Sequence, residues 1–344
     1  MLQLPRRTRE ITVDQPGIVP DGALSGDEPL ILKGLVSHWP LLQAGEQSAE
    51  AAADYLRQHY NGKPTQVYRG APGLNGRYFY DETATKLNFD ISMGQVDEVL
   101  MQVLDWQSLE HPPSVYIASN LIQSHFPTLP DHQLLQRPAP QLDYVTEPDR
   151  ISIWLGNRSQ AAAHYDASDN LACCVRGKRR FSLFPPKQVA HLYPGPFEPT
   201  PGGQVISMVD FSAPDLTRFP DFPKAVAAGQ VAELEPGDAL YLPSMWWHQV
   251  EALGAFNILI NYWWSRAPRY TGSGMNLLYH ALLCLRDKPE HERLAWRALL
   301  DYYVFDDPAK PGQHLPEAAR GVLGDLDEMQ ARQLRAMLLN RLNR

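Results

Sequence analysis

His164 and Asp166 lie two residues apart in the stretch AAAHYDASDN, which occupies positions 161–170. Side chains two residues apart on an extended strand point to the same face, so a histidine and a carboxylate at this spacing can bind one object together. The His-x-Asp pattern is common by itself, and a hydrogen-bonded surface pair is the alternative interpretation. As half of a metal site, the pair requires a third ligand from a distant part of the chain.

The best candidate for the third ligand is His248, in the segment EPGDALYLPSMWWHQVEAL. The segment reads as a strand, a turn at Pro243 and a second strand that carries the histidine. Two histidines and one carboxylate leave three adjacent positions open on a six-coordinate ion, the arrangement typical of non-haem Fe(II) oxygenases. The other histidines lie in polar or proline-rich contexts and are interpreted as surface residues; they include His38, His111, His125, His132 and His191.

These candidate ligands lie in a region of short apolar runs separated by proline and glycine, from about residue 113 to residue 265. The runs include SVYIASN, RISIWLGN, NLACCVRG, KRRFSLFPP, DALYLPSMWWHQV and FNILINYWW. Short strands with turn signals between them predict a β-sandwich, barrel or jelly roll. The chain contains 30 prolines, which suit long connections between strands better than helices.

Helical patterns flank this β region on both sides. The earlier helical pieces cover 49–60 and 94–104 and alternate with the strand-like pieces 29–35 and 65–70. Apolar residues recur at helical spacing after Arg269, in the segments 276–287, 289–305 and 316–342. The last three helices must bury their apolar stripes, either as a cap on the β domain or in a dimer interface.

Composition limits the kind of protein this can be. With 344 residues, 44% hydrophobic and 20% charged, the chain has the composition of an ordinary globular protein with a large domain and an appendage or a second domain. The net charge of −8 argues against a surface that tracks nucleic acid or anionic lipid. No apolar stretch has the length of a signal peptide or membrane helix, so we expect a cytoplasmic protein without a membrane partner.

Cysteine usage agrees with a reducing compartment. Cys173, Cys174 and Cys284 are too few and too unevenly spaced for a disulfide or zinc framework. We interpret all three as buried small hydrophobic residues.

Several longer motifs occur in a fixed order: HYDASDN, GKRRFSLFPPKQVAHLYPGP, VDFSAPDLTRFPDFP, PGDALYLPSMWWHQVEAL and NYWW. Together they closely resemble the JmjC-type 2-oxoglutarate oxygenases, and among these the cupin-like hydroxylases typified by the asparaginyl hydroxylase that inhibits hypoxia-inducible factor. The resemblance covers residues 110–270 strongly and 25–110 more loosely. It implies a mainly β (α+β) fold, a double-stranded β-helix or jelly roll flanked by N-terminal helices and a C-terminal helical segment.

The resemblance also implies how the chain is divided and which residues bind the metal and the cosubstrate. Residues 1–270 would form the oxygenase domain with its N-terminal lead-in, and residues 271–344 a helical dimerisation region. His164, Asp166 and His248 match the Fe(II) ligands of the family. The residues that match its cosubstrate site are Tyr116, a hydrogen-bonding tyrosine, Asn170 and Asn261, polar residues beside 2-oxoglutarate and the metal, and Trp263, an aromatic residue of the wall. Trp246, Trp247 and Trp264 are interpreted as core residues.

The sequence departs from the family at two positions. The family usually has a lysine where Arg179 stands, which pairs with the distal carboxylate of 2-oxoglutarate, and a hydroxyl residue where Ala161 stands. An arginine fork can supply two parallel donors alone, so the exchange can be compensated. A different oxo-acid and an impaired site are the alternatives, and a solvated basic turn formed by Lys178, Arg179 and Arg180 is a third.

The resemblance implies a reaction in which Fe(II), 2-oxoglutarate and O2 hydroxylate a substrate and release succinate and CO2. We predict a polypeptide or amino-acid side chain as the substrate and a homodimer through the C-terminal helices. Within the same fold, the alternatives are a tRNA or small-molecule hydroxylase and a lysine demethylase, with tRNA disfavoured by the acidic net charge. A cupin-like module that binds a metal or ligand without turnover is the alternative from another class.

Overall fold

A computed structural model describes residues 2–129 and 148–343. The chain divides into two units, Met1–Ser265 and Arg266–Arg344. His132 lies outside the described residues, so its predicted surface position stays a prediction. Among the described residues, no helix combines the length and the hydrophobicity needed to cross a membrane.

The strands lie in the first unit. In chain order they are β1 (Arg6–Arg7), β2 (Arg9–Thr12), β3 (Leu30–Lys33), β4 (Thr65–Gly70), β5 (Arg77–Tyr78), β6 (Asp90–Gly94), β7 (Ser114–Leu121), β8 (Arg150–Gly156), β9 (Ser159–His164), β10 (Asp169–Arg176), β11 (Arg179–Phe184), β12 (Gln230–Leu234), β13 (Ala239–Leu242), β14 (Trp247–Ala252) and β15 (Asn257–Trp264).

The helices lie mainly before and after the main run of strands. The α-helices are α1 (Pro40–Gln47), α2 (Ala49–His59), α3 (Val96–Asp105), α4 (Ile122–His125), α5 (Phe222–Ala228), α6 (Gly274–Cys284), α7 (Glu290–Leu300), α8 (Glu317–Arg320) and α9 (Glu328–Leu342). Shorter 3-10 segments cover Pro72–Leu74, Pro186–Leu192, Arg269–Thr271, Lys310–Gly312 and Gly321–Leu323, and a π-helical turn covers Asp301–Phe305.

Within the described residues the strands form two sheets. The minor sheet has the order β1-β12-β11-β14-β9-β5, and the major sheet has the order β2-β3-β13-β10-β15-β8-β7-β4-β6. From β8 onward the chain moves back and forth between them, so that β9, β11, β12 and β14 lie in the minor sheet and β8, β10, β13 and β15 in the major one. These eight strands pair antiparallel within each sheet. This is the predicted jelly roll with flanking helices, and the fold-class prediction is confirmed.

Side chains alternate along β15, so this one strand contributes to the apolar core on one face and to a cavity on the other. Every second side chain packs toward the helices α1, α2 and α3 in the larger apolar core, namely Ile258, Ile260, Tyr262 and Trp264. Those between them face the minor sheet, namely Leu259, Asn261 and Trp263. Because side chains alternate with a period of two, an apolar face toward the helices fixes the opposite face as the wall of the space between the sheets.

The turn before β13 depends on a glycine. Gly237 has a φ of 102° in the sequence EPGD, a conformation that favours glycine. Its neighbour Asp238 is buried, and its carboxylate accepts from the backbone N–H groups of Gly34 and Glu235 and pairs with Lys33. The PGD turn thereby fixes the start of β13, the strand that comes before β14 and His248 in the chain.

The C-terminal unit departs from two predictions. The helix predicted over 316–342 is interrupted, because Gly321 has a φ of 51° and α9 begins only at Glu328. Asp327 caps α9, and its carboxylate accepts from the N–H of Gln330 at 2.7 Å. Cys284, predicted to be buried, is exposed at the end of α6, a helix without a buried residue, whereas Cys173 and Cys174 are buried as predicted.

Candidate metal and cosubstrate site

The two histidines of the predicted metal site meet across neighbouring strands. His164 ends β9 and lies directly opposite His248 of β14 in the antiparallel register, and their ring centroids are 4.2 Å apart. Asp166 follows in the loop after β9, where its carbonyl accepts from the N–H of Met245 at 2.7 Å. This backbone bond ties the loop that carries the carboxylate to the loop that leads into β14.

One donor atom from each of His164, Asp166 and His248 lies within 4.8 Å of the other two. The Nε2 atom of His248 is 3.6 Å from the Asp166 Oδ2 atom. Octahedral bonds of about 2.1 Å place adjacent ligand atoms about 3 Å apart, so a small contraction would close the three donors around one ion. Within the described residues, no other group of three His, Cys, Asp or Glu side chains meets this distance.

Backbone carbonyls orient both imidazoles in the same way. Nδ1 of His164 lies 2.8 Å from the carbonyl of Ala162, and Nδ1 of His248 lies 2.9 Å from the carbonyl of Trp246. A protonated Nδ1 donating to a carbonyl leaves Nε2 with the lone pair that a metal needs. Burial, aided by the neighbouring His164, lowers the pKa of His248 to about 4, so this imidazole is neutral at neutral pH.

The three donors open into a cavity of about 450 Å³ between the two sheets. Such a volume is typical of small-molecule sites, which span roughly 300–1,000 Å³. The wall contains the predicted cosubstrate residues Tyr116, Asn170, Arg179, Asn261 and Trp263 together with Ala161. Every residue that the sequence analysis assigned to the site therefore lines this one cavity.

Arg179 is an unusual part of this wall. It is buried at the start of β11, with 3% of its surface exposed, and its guanidinium hydrogen-bonds the side chain of Tyr116. Its Nε and Nη2 atoms have no hydrogen-bond partner among the described residues. Burying a cation without a counter-charge costs free energy. A ligand carboxylate would supply the counter-charge that this site lacks among the described residues. Burial raises the pKa of Tyr116 to about 12, and the nearby Arg179 guanidinium acts in the opposite direction.

The alternative of a solvated basic turn holds for Lys178 alone. Lys178 is exposed and pairs with Glu235 at 2.7 Å. Arg180 is buried on β11 and pairs with Glu251 at 2.9 Å. Arg179 is thus the one of the three that has no carboxylate partner among the described residues. Ala161 lies on β9, two strands from Arg179 across β14, so its small side chain leaves room on the cavity face of the same sheet.

A hydrogen-bonded chain on the major sheet fixes the two asparagines. The Trp154 Nε1–H donates to Asn261 Oδ1 at 2.7 Å, and the Asn261 Nδ2–H donates to Asn170 Oδ1 at 3.1 Å. Sequence analysis does not identify Trp154 as a cavity residue, because RISIWLGN has the pattern of any core strand with one aromatic residue. Tyr68 and Tyr78, which also line the cavity, carried no sequence signal either.

We expect the hydrogen bonds that link Trp154, Asn261 and Asn170 to contribute measurably to the free energy of unfolding. Trp154→Phe removes the donor and leaves the buried Asn261 carbonyl without it, which should cost about 1–2 kcal/mol of unfolding free energy. Urea denaturation of Trp154→Phe, Asn261→Ala and the double variant gives the coupling, which we expect to be about 1 kcal/mol. Additive losses would show that the bond contributes nothing.

A family model for the cupin-like domain matches residues 20–270. The chain belongs to the cupin-like family. Its membership confirms the JmjC-type resemblance, and the matched residues include every cavity residue named above. The similar proteins include JmjC-type oxygenase relatives.

Three relatives illustrate the range of this cupin-like family. Human HSPB1-associated protein 1 is 26% identical over 292 residues, which cover 79% of this chain and 55% of that protein. Zebrafish tRNA wybutosine-synthesizing protein 5 is 37% identical over 109 residues, 32% of this chain and 30% of that protein. Lysine-specific demethylase JMJ31 of Arabidopsis thaliana is 30% identical over 115 residues, 33% of this chain and 20% of that protein. The cupin-like chain thus spans at most about half the length of these three relatives.

Proposed function

We propose that this protein is an Fe(II)- and 2-oxoglutarate-dependent oxygenase that hydroxylates a polypeptide or amino-acid side chain. The observation that carries the proposal is the convergence on one cavity of a His-Asp-His donor set and a buried Arg179 that has no carboxylate partner among the described residues. The donor set fits a divalent iron with open positions, and the Arg179 guanidinium fits the distal carboxylate of a dicarboxylic cosubstrate.

Each residue of the cavity has a defined task under this proposal. His164, Asp166 and His248 hold the iron from one side. Bound Fe(II) with 2-oxoglutarate and O2 would supply the oxidation that hydroxylates a C–H bond, with succinate and CO2 as the coproducts. Arg179 binds the distal carboxylate, and Tyr116 lies beside it.

The major sheet positions and shields the reacting groups. Asn170 and Asn261 line the same cavity as the metal donors, and the donor from Trp154 fixes their amide orientation. Trp263 packs edge-to-face on Trp154 with ring centroids 5.8 Å apart, which gives the cavity an aromatic wall. Such a wall keeps bulk water away from the metal position.

The polypeptide or amino-acid class is favoured over tRNA by the net charge of −8, which repels a polyanion. One relative is named for tRNA modification and another for lysine demethylation, so both are competing substrate classes. The three free cysteines support a reducing compartment, and we place the protein in the cytoplasm.

Succinate release from 2-oxoglutarate tests the proposed function. Full-length protein with Fe(II) and O2 should release succinate slowly alone and faster with peptides from a lysate digest. Asp166→Ala should release none, while His111→Ala, which changes an exposed histidine outside the cavity, should match the wild type. Metal binding without succinate release by the wild type would instead favour the non-catalytic binding module.

We also propose that residues 271–344 form a homodimer interface. The unit Arg266–Arg344 exposes many large apolar side chains, among them Leu278, Leu283, Trp296 and Phe305. Leu283, on α6, is 79% exposed, which a second copy of the chain would cover. We expect the full-length protein to sediment as a dimer and Leu283→Glu to shift it toward monomer, with Met101→Glu on α3 as the control. A monomeric wild type would refute the interface.

A further inference from the structure

Arg150 lines the mouth of the cavity at the start of β8. Its Nε atom donates to Ser152 Oγ at 2.9 Å, and its Nη2 atom donates to the Ser119 carbonyl at 2.8 Å. Its Cζ atom lies 5.7 Å from the centroid of the Trp263 ring. A long exposed side chain held by three contacts has lost much of its rotamer freedom before a ligand arrives. The guanidinium is therefore preorganised.

The strand register places this guanidinium at the metal end of the cavity. Arg150 is paired with Trp263 on β15, and Trp263 is paired with Asn170 on β10. The three residues form one row on the cavity face of the major sheet. This row lies where β8 and β10 begin, and the loop that carries Asp166 leads from His164 at the end of β9 into β10. The row is therefore at the end of the cavity that holds the metal donors.

Within the part of the chain that the structure describes, the charges of the cavity leave Arg150 without a counter-charge. Besides the two histidines, the charged side chains that the described residues contribute to the wall are Arg150, Asp166 and Arg179. Under the proposed function, Asp166 and the keto-acid carboxylate would balance the iron, and the distal carboxylate would balance Arg179. Among residues 2–129 and 148–343, no acidic side chain pairs with Arg150, and its Nη1 atom makes no hydrogen bond.

We propose that Arg150 binds a carboxylate of the substrate. The enzyme would then act on a substrate with a side-chain carboxylate near the oxidised carbon, carried either by an acidic residue in a polypeptide or by a free acidic amino acid. A planar guanidinium edge matches a carboxylate geometrically, and such charge-assisted bonds are stronger than neutral ones. The inference rests on the proposed function, because it takes the metal end of the cavity as the reacting end.

Ligand binding to the anaerobic, Mn(II)- and 2-oxoglutarate-saturated full-length protein tests this inference. The probes are blocked Gly-Gly-Xaa-Gly-Gly peptides with Asp or Glu at the centre, their Asn and Gln counterparts, and the four free amino acids. Broadening of ligand proton signals by Mn(II) reports binding close to the metal. We expect one acidic set, peptides or free amino acids, to bind about ten-fold more tightly than its amide set, which also identifies the source of the carboxylate.

Variants distinguish carboxylate recognition by Arg150 from a general effect of the protein's positive charge on acidic ligands. Arg150→Gln should abolish the acid preference, and Arg150→Glu should reverse it. Arg158→Gln is the matched control, because Arg158 is exposed on the turn between β8 and β9 and does not line the cavity. The control should keep the wild-type preference, which should weaken as KCl is raised.

Three results would overturn the assignment of Arg150: no acid preference in the wild type, the same preference in Arg150→Gln, or binding of a single-stranded oligonucleotide probe in place of the acidic probes. Calorimetry of 2-oxoglutarate with each Mn(II)-loaded variant distinguishes a failure of the role of Arg150 from a failure of the proposed function. If the wild type binds 2-oxoglutarate without acid preference, only the role of Arg150 fails. If it binds no 2-oxoglutarate, the proposed function fails as well.

Discussion

Replacing Arg179 with alanine is expected to weaken 2-oxoglutarate binding roughly 10- to 150-fold and to leave Mn(II) binding unchanged. A shielded, charge-assisted bidentate pair contributes about 1.5–3 kcal/mol, which corresponds to that range. Within the described residues, the buried Arg179 guanidinium has two nitrogen atoms without hydrogen-bond partners, and under the proposed function 2-oxoglutarate would supply the missing acceptors. Calorimetry under anaerobic conditions measures both affinities on the same protein. An unchanged 2-oxoglutarate affinity would show that the anchor lies elsewhere.

Two further variants test whether Ala161 is coupled to Arg179. Arg179→Lys alone should recover little affinity, because an ammonium is shorter and has no planar fork. Arg179→Lys combined with Ala161→Thr should recover more, because a hydroxyl then enters the cavity from β9 on the same sheet. Equal affinities in the single and double variants would mean that the two positions act independently.

Loss of any one metal donor should have the largest effect on the protein's chemistry. Removal of an outer partner of a metal ligand typically costs 10- to 100-fold in affinity, so removal of a ligand should cost more than about 100-fold. We therefore expect His164→Ala, Asp166→Ala and His248→Ala each to abolish stoichiometric Fe(II) or Mn(II) binding. Electron paramagnetic resonance of free Mn(II) gives the bound fraction directly.

Matched controls distinguish ligand loss from misfolding. Asp166→Asn keeps the shape of the side chain but removes its charge, and it should still bind metal poorly. His111→Ala should bind one metal ion like the wild type, because His111 is exposed and outside the cavity. Tight stoichiometric binding by a His164→Ala/His248→Ala double variant would contradict the assignment.

The fold class and the candidate metal and cosubstrate residues could be predicted from the sequence. The apolar run FNILINYWW, which forms β15, and the turn at Pro243 are local signals, and the structure contains both. The spacing of His164 and Asp166 predicted that both lie on one strand. This prediction is wrong, because β9 ends at His164 and Asp166 lies in the following loop, which the backbone hydrogen bond from Met245 holds.

What the sequence did not predict depends on contacts between distant strands. Trp154 donates to Asn261 because β8 and β15 are neighbours, a relation that no local pattern encodes. The position of Arg150 at the cavity mouth depends on the same pairing. Helical spacing after Arg269 predicted α6, α7 and α9 but not the break at Gly321. Helical spacing also does not specify which face is covered, and Cys284 is exposed.

A titration of 2-oxoglutarate into the anaerobic Fe(II)-loaded protein tests whether the cavity binds iron and 2-oxoglutarate together. A keto acid that chelates Fe(II) produces a visible charge-transfer absorption, so one spectrum reports metal, cosubstrate and their mutual contact. We predict a saturable band with one equivalent of iron in the wild type, the same band at much higher 2-oxoglutarate concentration in Arg179→Ala, and no band in Asp166→Ala. Absence of the band in the wild type, or its persistence in the His164→Ala/His248→Ala variant, would contradict the account.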